Sequence, residues 1–212
     1  MILDEFRNEF DILYNSIASN AAPSIDDYEK SVLLTIAQEE LVKQLYNGGT
    51  VSVDSLDNTE ELREYLSNLI IEKEYNNDTE DTVVIFEKEE DLMFIIREFC
   101  IIDTECFSGE INVVPTTLND LNRSLNNPFK KPSDNKVLRI NTNEGIKLYS
   151  KYPIRKYHIT YLKTPNPIIL SDLEDGLSIN NKSTASDCEL DSNLHRAILN
   201  SAVALAKATY VV

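Results

Sequence analysis

Residues 24–46 read SIDDYEKSVLLTIAQEELVKQLY, and how this stretch is understood decides the fold. Its pattern predicts one long helix. Pro23 precedes Ser24, and Ser24 with Asp27 makes a capping-box pattern, in which a hydroxyl and a carboxylate each satisfy one orphan N–H. Asn47, Gly48 and Gly49 then supply residues that tolerate positive φ, where a helix stops. Tyr28, Val32 and Ile36 fall on one side; Leu33, Ala37, Leu41 and Leu45, with Leu34 beside them, fall on a second. A surface helix needs only one apolar stripe, so two stripes predict a helix packed between neighbours, the spine of a helical layer. These residues are assigned to core packing, not to a ligand site.

Working outward, Ile2, Leu3, Phe6, Phe10, Leu13, Tyr14 and Ile17 recur at helical spacing and predict an amphipathic first helix. Asn58 and Glu61 repeat the capping pattern before Leu62, Tyr65, Leu66, Leu69 and Ile70, which predicts a third helix. The polar run Glu74–Asp81 then marks a domain boundary. Beyond it come short runs rich in β-branched and aromatic residues, at 83–86, 92–102, 111–114, 137–141, 146–149 and 157–162, expected to be strands. Residues 92–102 also fit a helix through Leu92, Ile95, Ile96 and Phe99; their β-branched content favours strand. Asn143–Gly145 predicts a hairpin turn, and Thr117–Leu125 a short helix ended by Asn127 before Pro128. Pro165 and Pro167 withhold ladder N–H groups and mark an exit from the sheet. A polar loop at 171–186 leads to a closing helix. Ser186 and Glu189 are expected to cap it, Leu190, Leu194, Ile198, Ala202 and Leu205 to form its stripe, and Ala197, Ala204, Ala206 and Ala208 to allow close approach.

The expected class is therefore α+β. A helical domain is built from both chain ends, residues 1–78 and 187–212. A β-rich insertion spans 79–170, and the polar loop 171–186 joins it to the closing helix. Both polar segments, 74–81 and 171–186, carry little apolar material to offset their ordering entropy, so at least one is expected to order only against a neighbouring subunit.

With 212 residues and 42% hydrophobic content, the chain has material for a substantial core. The acidic start MILDEFRNEF and the lack of any apolar run near ~18 residues predict neither export signal nor membrane span. Cys100, Cys106 and Cys188 lack ligand or disulfide spacing and are expected to be reduced thiols. Charge is divided unevenly: residues 1–105 hold 26 acidic and 7 basic residues, for −19, whereas 106–212 hold 10 and 13, for +3. The positive excess lies in Lys130, Lys131, Lys136, Arg139, Lys147, Lys151, Arg155, Lys156 and Lys163, against only Asp134 and Glu144. A chain of net charge −16 repels a polyanion at long range, so this stripe is better suited to an acidic protein surface, such as another copy of the chain.

Chemistry is hard to find. His158 and His195 lie outside any HExxH or HxH pattern; His195 is assigned to a helical pair with Asp191. There is no GxGxxG, P-loop or GxSxG, and five glycines leave little for a phosphate-cradling loop. No catalytic residue, cofactor or metal is expected.

Four segments in order, SIDDYEKSVLLTIAQEELVKQLYNG, VVPTTLNDLNRSLNNPFKKP, YHITYLKTPNPIIL and ELDSNLHRAILNSAVALAKATYV, resemble virion proteins of short-tailed, crAss-like bacteriophages, in particular their head-to-tail connector (adaptor or ring) proteins. That resemblance implies a structural virion protein at the portal vertex, made in the host cytoplasm. It further implies a dodecameric ring that docks on the portal protein, meets other connector or tail rings, and passes DNA through its lumen without specific binding. An acidic lumen suits this role, because carboxylates leave passing DNA hydrated and unbound. Lys130, Lys131, Arg155 and Lys156, in two proline-bracketed loops, are the expected inter-subunit contacts. Ala204, Ala208, Tyr210, Val211 and Val212, at the apolar end of the closing helix, are the expected portal contacts. The alternative class is an acidic cytoplasmic enzyme or host-directed regulatory protein with a carboxylate-based site.

Overall fold

The computed structural model describes residues 1–15, 24–47, 64–104, 107–174 and 176–210. The chain divides into two compact units, Met1–Leu69 with Thr164–Val212, and Ile70–Lys163. Helices α1 (Leu3–Asn15) and α2 (Asp27–Asn47) are followed by a 3₁₀ turn at Ser67–Leu69. Strands β1 (Ile70–Asn76), β2 (Val83–Phe86), β3 (Leu92–Thr104) and β4 (Phe107–Pro115) come next, then helix α3 (Leu118–Asn126). Strands β5 (Lys136–Thr142), β6 (Gly145–Tyr149) and β7 (Lys156–Lys163) precede the closing helix α4 (Ser192–Tyr210). The class is α+β.

In the first unit, α2 packs on α4 and α1. Its cap lies two residues later than expected: Asp26 Oδ1 accepts the Glu29 N–H at 2.7 Å, and Glu29 accepts the Asp26 N–H at 3.1 Å. The two-stripe expectation also needs correction. Beside Leu34, Ala37 and Val42, the buried residues include the polar Lys30, Ser31, Thr35 and Gln38, while Ile36 is 41% exposed. Lys30 binds Asp11 of α1, whereas Ser31, Thr35 and Gln38 are buried because α2 holds an extended segment that belongs to no sheet. Leu170 N–H donates to Ser31 Oγ at 3.0 Å and Ile168 N–H to Thr35 Oγ1 at 3.1 Å. Gln38 Nε2 donates to the Asn166 carbonyl at 2.7 Å. Ile168, Ile169 and Leu170 are all buried, so these side chains supply partners that water cannot. Residues 166–170, expected inside the β-rich insertion, thus bond to α2 within the first unit.

The closing helix begins at Ser192, not near 187. Asp191 caps it, accepting the Asn193 N–H at 2.8 Å, while Ser186 Oγ binds the Pro167 carbonyl and Glu189 binds Asn166. His195 does not pair with Asp191: its Nε2 lies 3.0 Å from the Leu190 carbonyl. In the 171–186 segment, Ile169 pairs with Ser186, Leu173 N–H donates to Ser183, and Ile179 bridges to Lys182.

The second unit is one mixed sheet of order β1-β7-β3-β4-β5-β6-β2. The third helix ends earlier than its pattern suggests. Its expected cap lies outside the described residues, residues 64–66 are helical, and Ile70 already belongs to β1. β1 pairs with β7 through Asn76, so Glu74–Asn76 are strand, where the sequence suggested a polar break. The ambiguous 92–102 run is strand, and its helix-like spacing has a cause. Register shifts between Leu92 and Phe94 and between Ile95 and Arg97 interrupt the alternation, so Ile95 shares a face with Tyr161 whereas Arg97 and Phe99 face the other way, with Thr160 and His158. The hairpin at Gly145 forms with φ 137°, and a Cβ there would sit 2.2 Å from the Phe86 carbonyl oxygen.

The bulged sheet curls until its edge strands touch. Tyr75 of β1 lies 5.6 Å from Phe86 of β2, ring to ring, and both stack on Tyr157. Glu89, in the turn after β2, accepts from Tyr75 Oη at 2.7 Å and pairs with Lys73. Inside the curl, Cys100, Ile102, Ile111, Val137, Leu148 and Ile159 form the core. Glu98 bonds both Arg139 and Tyr157 at 2.8 Å there. No helix among the described residues is long and apolar enough to cross a membrane.

Two outcomes follow from this packing. Thr35→Val removes the partner of a buried N–H and should cost about 1–3 kcal/mol in urea unfolding. Hydrogen bonds from Lys73 and Tyr75 hold the Glu89 carboxyl below its ordinary 4.5. Its contribution is therefore complete above pH 4.5 and lost as pH falls through the depressed folded value. Glu89→Gln should lower the melting temperature at pH 7 and flatten its decline below pH 4.5; an unchanged acid limb would refute this role.

Candidate assembly surface

The basic stripe does not survive folding as one feature, because four of its nine charges pair with carboxylates of the sheet unit. Arg139 pairs with Glu98 at 2.8 Å, Lys151 with Asp134 at 2.7 Å, Arg155 with Glu80 at 2.8 Å and Lys156 with Glu74 at 2.7 Å. Hydrogen bonds from Lys151 and Lys156 pull the Asp134 and Glu74 carboxyls below the usual range. No such pair involves Lys130 or Lys131, both exposed, among the described residues. Of the four expected inter-subunit cations, two are thus already committed and two are free to meet a partner.

The free pair sits on a rigid loop. Thr117 caps α3, and Asn127 ends it with its N–H on the Ser124 carbonyl. The Asn127 carbonyl then accepts the N–H groups of Lys130 at 3.0 Å and Lys131 at 2.9 Å, while its side chain accepts that of Phe129 at 2.9 Å. Lys136 Nζ holds the Phe129 carbonyl at 3.2 Å, and Ser133 bridges to Lys136. With Pro128 and Pro132 at its ends, this backbone has little freedom left to lose on binding.

At its tip stands a residue that stripe-reading by charge missed. Phe129 is 92% exposed. Burying such a ring stabilises a contact by about 1.5–3 kcal/mol, whereas an exposed ion pair contributes about 0–1 kcal/mol, so Phe129 outweighs its lysines. The available signal was an aromatic in a proline-bracketed loop, NPFKKP. Beside the loop, Val83, Leu125, Pro132, Tyr149, Lys131 and Lys151 line a groove of about 580 Å³.

A second recess, of about 340 Å³, lies on the outer face of β1, β7 and β3. Two cross-strand rows build it, Glu74–His158–Phe99 and Glu72–Thr160–Arg97. The Phe99 and His158 rings stack 4.6 Å apart at 5°, with the Arg97 guanidinium 5.0 Å from the Phe99 ring. His158 Nε2 approaches Glu74 to 3.2 Å.

Of the expected portal contacts, Ala204 and Ala208 lie exposed on one face of α4, while Ala202 and Ala206 are buried on the other. The Tyr210 side chain, Val211 and Val212 lie outside what the structure describes. Among the described residues no cluster of three or more His, Cys, Asp or Glu could hold a metal. Cys100 is buried, and burial pushes its thiol well above the ordinary range.

Exposed charged and aromatic side chains are what an assembly subunit can use for contacts. Sequence comparison agrees: the profile of the phage tail ring protein 3/4 family matches residues 1–212. The chain belongs to this family of crAss-like phage ring proteins. It is 42% identical over 216 residues to Ring protein 3 of Bacteroides phage crAss001, covering 95% of this chain and 93% of that one. It is 38% identical over 227 residues to Ring protein 4/5 of the same phage, covering 99% and 94%. As a ring protein it is a structural component of a virion.

Proposed function

We propose that this ring protein forms a dodecameric ring in the head-to-tail connector, docks on the portal protein and lines part of the DNA channel. The observation that carries the reading is the family match over the whole chain, together with a net charge of −16 that suits a lumen through which DNA slides unbound. That one phage has relatives named Ring protein 3 and Ring protein 4/5 supports stacking on other rings of the same kind. In this reading the helical unit built from both chain ends faces the portal through Ala204, Ala208, Tyr210, Val211 and Val212. The β-rich unit makes the contact between neighbouring copies through Lys130, Lys131, Arg155 and Lys156. Such a contact joins two different patches and repeats until the rotation closes. Cryo-EM of the portal vertex tests the ring, its subunit number and its place.

Replacing Lys130, Lys131, Arg155 and Lys156 with Glu should leave circular dichroism unchanged and abolish ring assembly in sedimentation velocity. The Lys130/Lys131 pair alone should account for most of the loss, since Arg155 and Lys156 already have carboxylate partners. Normal rings from the quadruple variant would refute the inter-subunit assignment. Truncation after Lys207 should preserve the melting temperature yet weaken co-sedimentation with portal rings; undiminished portal binding would sink the docking role.

A further inference from the structure

We infer that Phe129 of one copy seats in the Phe99–His158 recess of the next, with Lys130 and Lys131 set against Glu72. This rests on the ring reading and names the residues of its subunit contact.

Phe129 is 92% exposed, so its ring is available to a second copy. Its loop is held by backbone and side-chain hydrogen bonds, so the ring is presented and not merely loose. The recess is large enough: its volume of about 340 Å³ exceeds the roughly 150 Å³ of an apolar cavity that accepts benzene. Its floor is aromatic, the stacked Phe99 and His158, which offers a phenyl group an offset or edge-on partner. It carries Glu72, an exposed carboxylate that pairs with no cation among the described residues, whereas Glu74 is engaged by Lys156. The cations nearby are engaged too, Arg97 over the Phe99 ring and Lys73 at Glu89.

Charge decides between these two cavities. The 580 Å³ groove beside the loop is lined by Lys131 and by Lys151, which already holds Asp134, and by no carboxylate, so it offers incoming lysines no unpaired partner. The 340 Å³ recess presents Glu72. Loop and recess also lie apart in the sheet order, the loop before β5 and the recess across β1, β7 and β3. Each copy therefore carries both halves of a head-to-tail contact, the geometry from which rings close.

The test places the photo-crosslinker p-benzoylphenylalanine at position 129 in virions and maps its adducts by mass spectrometry. Adducts on residues 72–74, 97–99 or 158–160 of a second copy are expected. Adducts on a different face, or on a different virion protein, overturn the assignment. In parallel, Phe129→Ala should reduce incorporation into particles by about thirtyfold, in the range of a central aromatic anchor, without altering the melting temperature. Lys131→Glu should reduce it less, and Glu72→Lys should restore that loss. Wild-type incorporation of Phe129→Ala would refute this contact and leave the ring intact, whereas absence of the wild-type chain from virions would refute the ring reading itself.

Discussion

A buried extended segment without a neighbouring strand needs partners for its backbone, and in this ring protein a helix provides them. Ser31, Thr35 and Gln38 stand on one face of α2 and meet the main chain of residues 166–170. Left unpaired, each buried N–H or carbonyl would cost about 1–3 kcal/mol, comparable to much of a domain's net stability. Those three side chains therefore hold residues 166–170 on α2. Segment 166–170 in turn orients Glu189 through Asn166 and Ser186 through Pro167, which delivers the chain to α4.

Within the sheet unit the comparable constraint is the pair of register shifts in β3. A strand of this length would otherwise keep one alternation throughout. By changing parity partway, β3 turns Ile95 toward the core and Phe99 toward solvent, and it bends the sheet until Tyr75 meets Phe86. The same bend creates the outer recess, because Arg97, Phe99 and His158 come together only after the parity change. Core curvature and surface recess thus share one origin.

Electrostatics gains meaning only after intramolecular pairs are subtracted. The nine cations between Lys130 and Lys163 suggest a continuous stripe in sequence, yet four hold carboxylates of their own sheet unit. Among the rest, Lys130 and Lys131 are exposed beside Phe129 on one hydrogen-bonded loop. A polar, preorganised rim around one aromatic is the usual composition of an interface that must be specific without being sticky.

Much was legible in the chain itself. Local rules suffice for α1, α2, α3, α4, six of the seven strands and the Gly145 hairpin, because period and turn chemistry depend on near neighbours. The ring-protein family was legible as well, since ordered segments along the chain carry it. Tertiary structure alone decided the rest. β1 follows a helical pattern with a polar run, IIEKEYN, and becomes strand because β7 offers a complete ladder that outweighs propensity. The buried face of α2 includes Lys30, Ser31, Thr35 and Gln38, which no apolar period reveals, because their partners lie more than 100 residues away or on another helix. Which lysines are free, and that Phe129 stands in water, depend on distances between residues far apart in sequence, and such distances exist only in the folded chain.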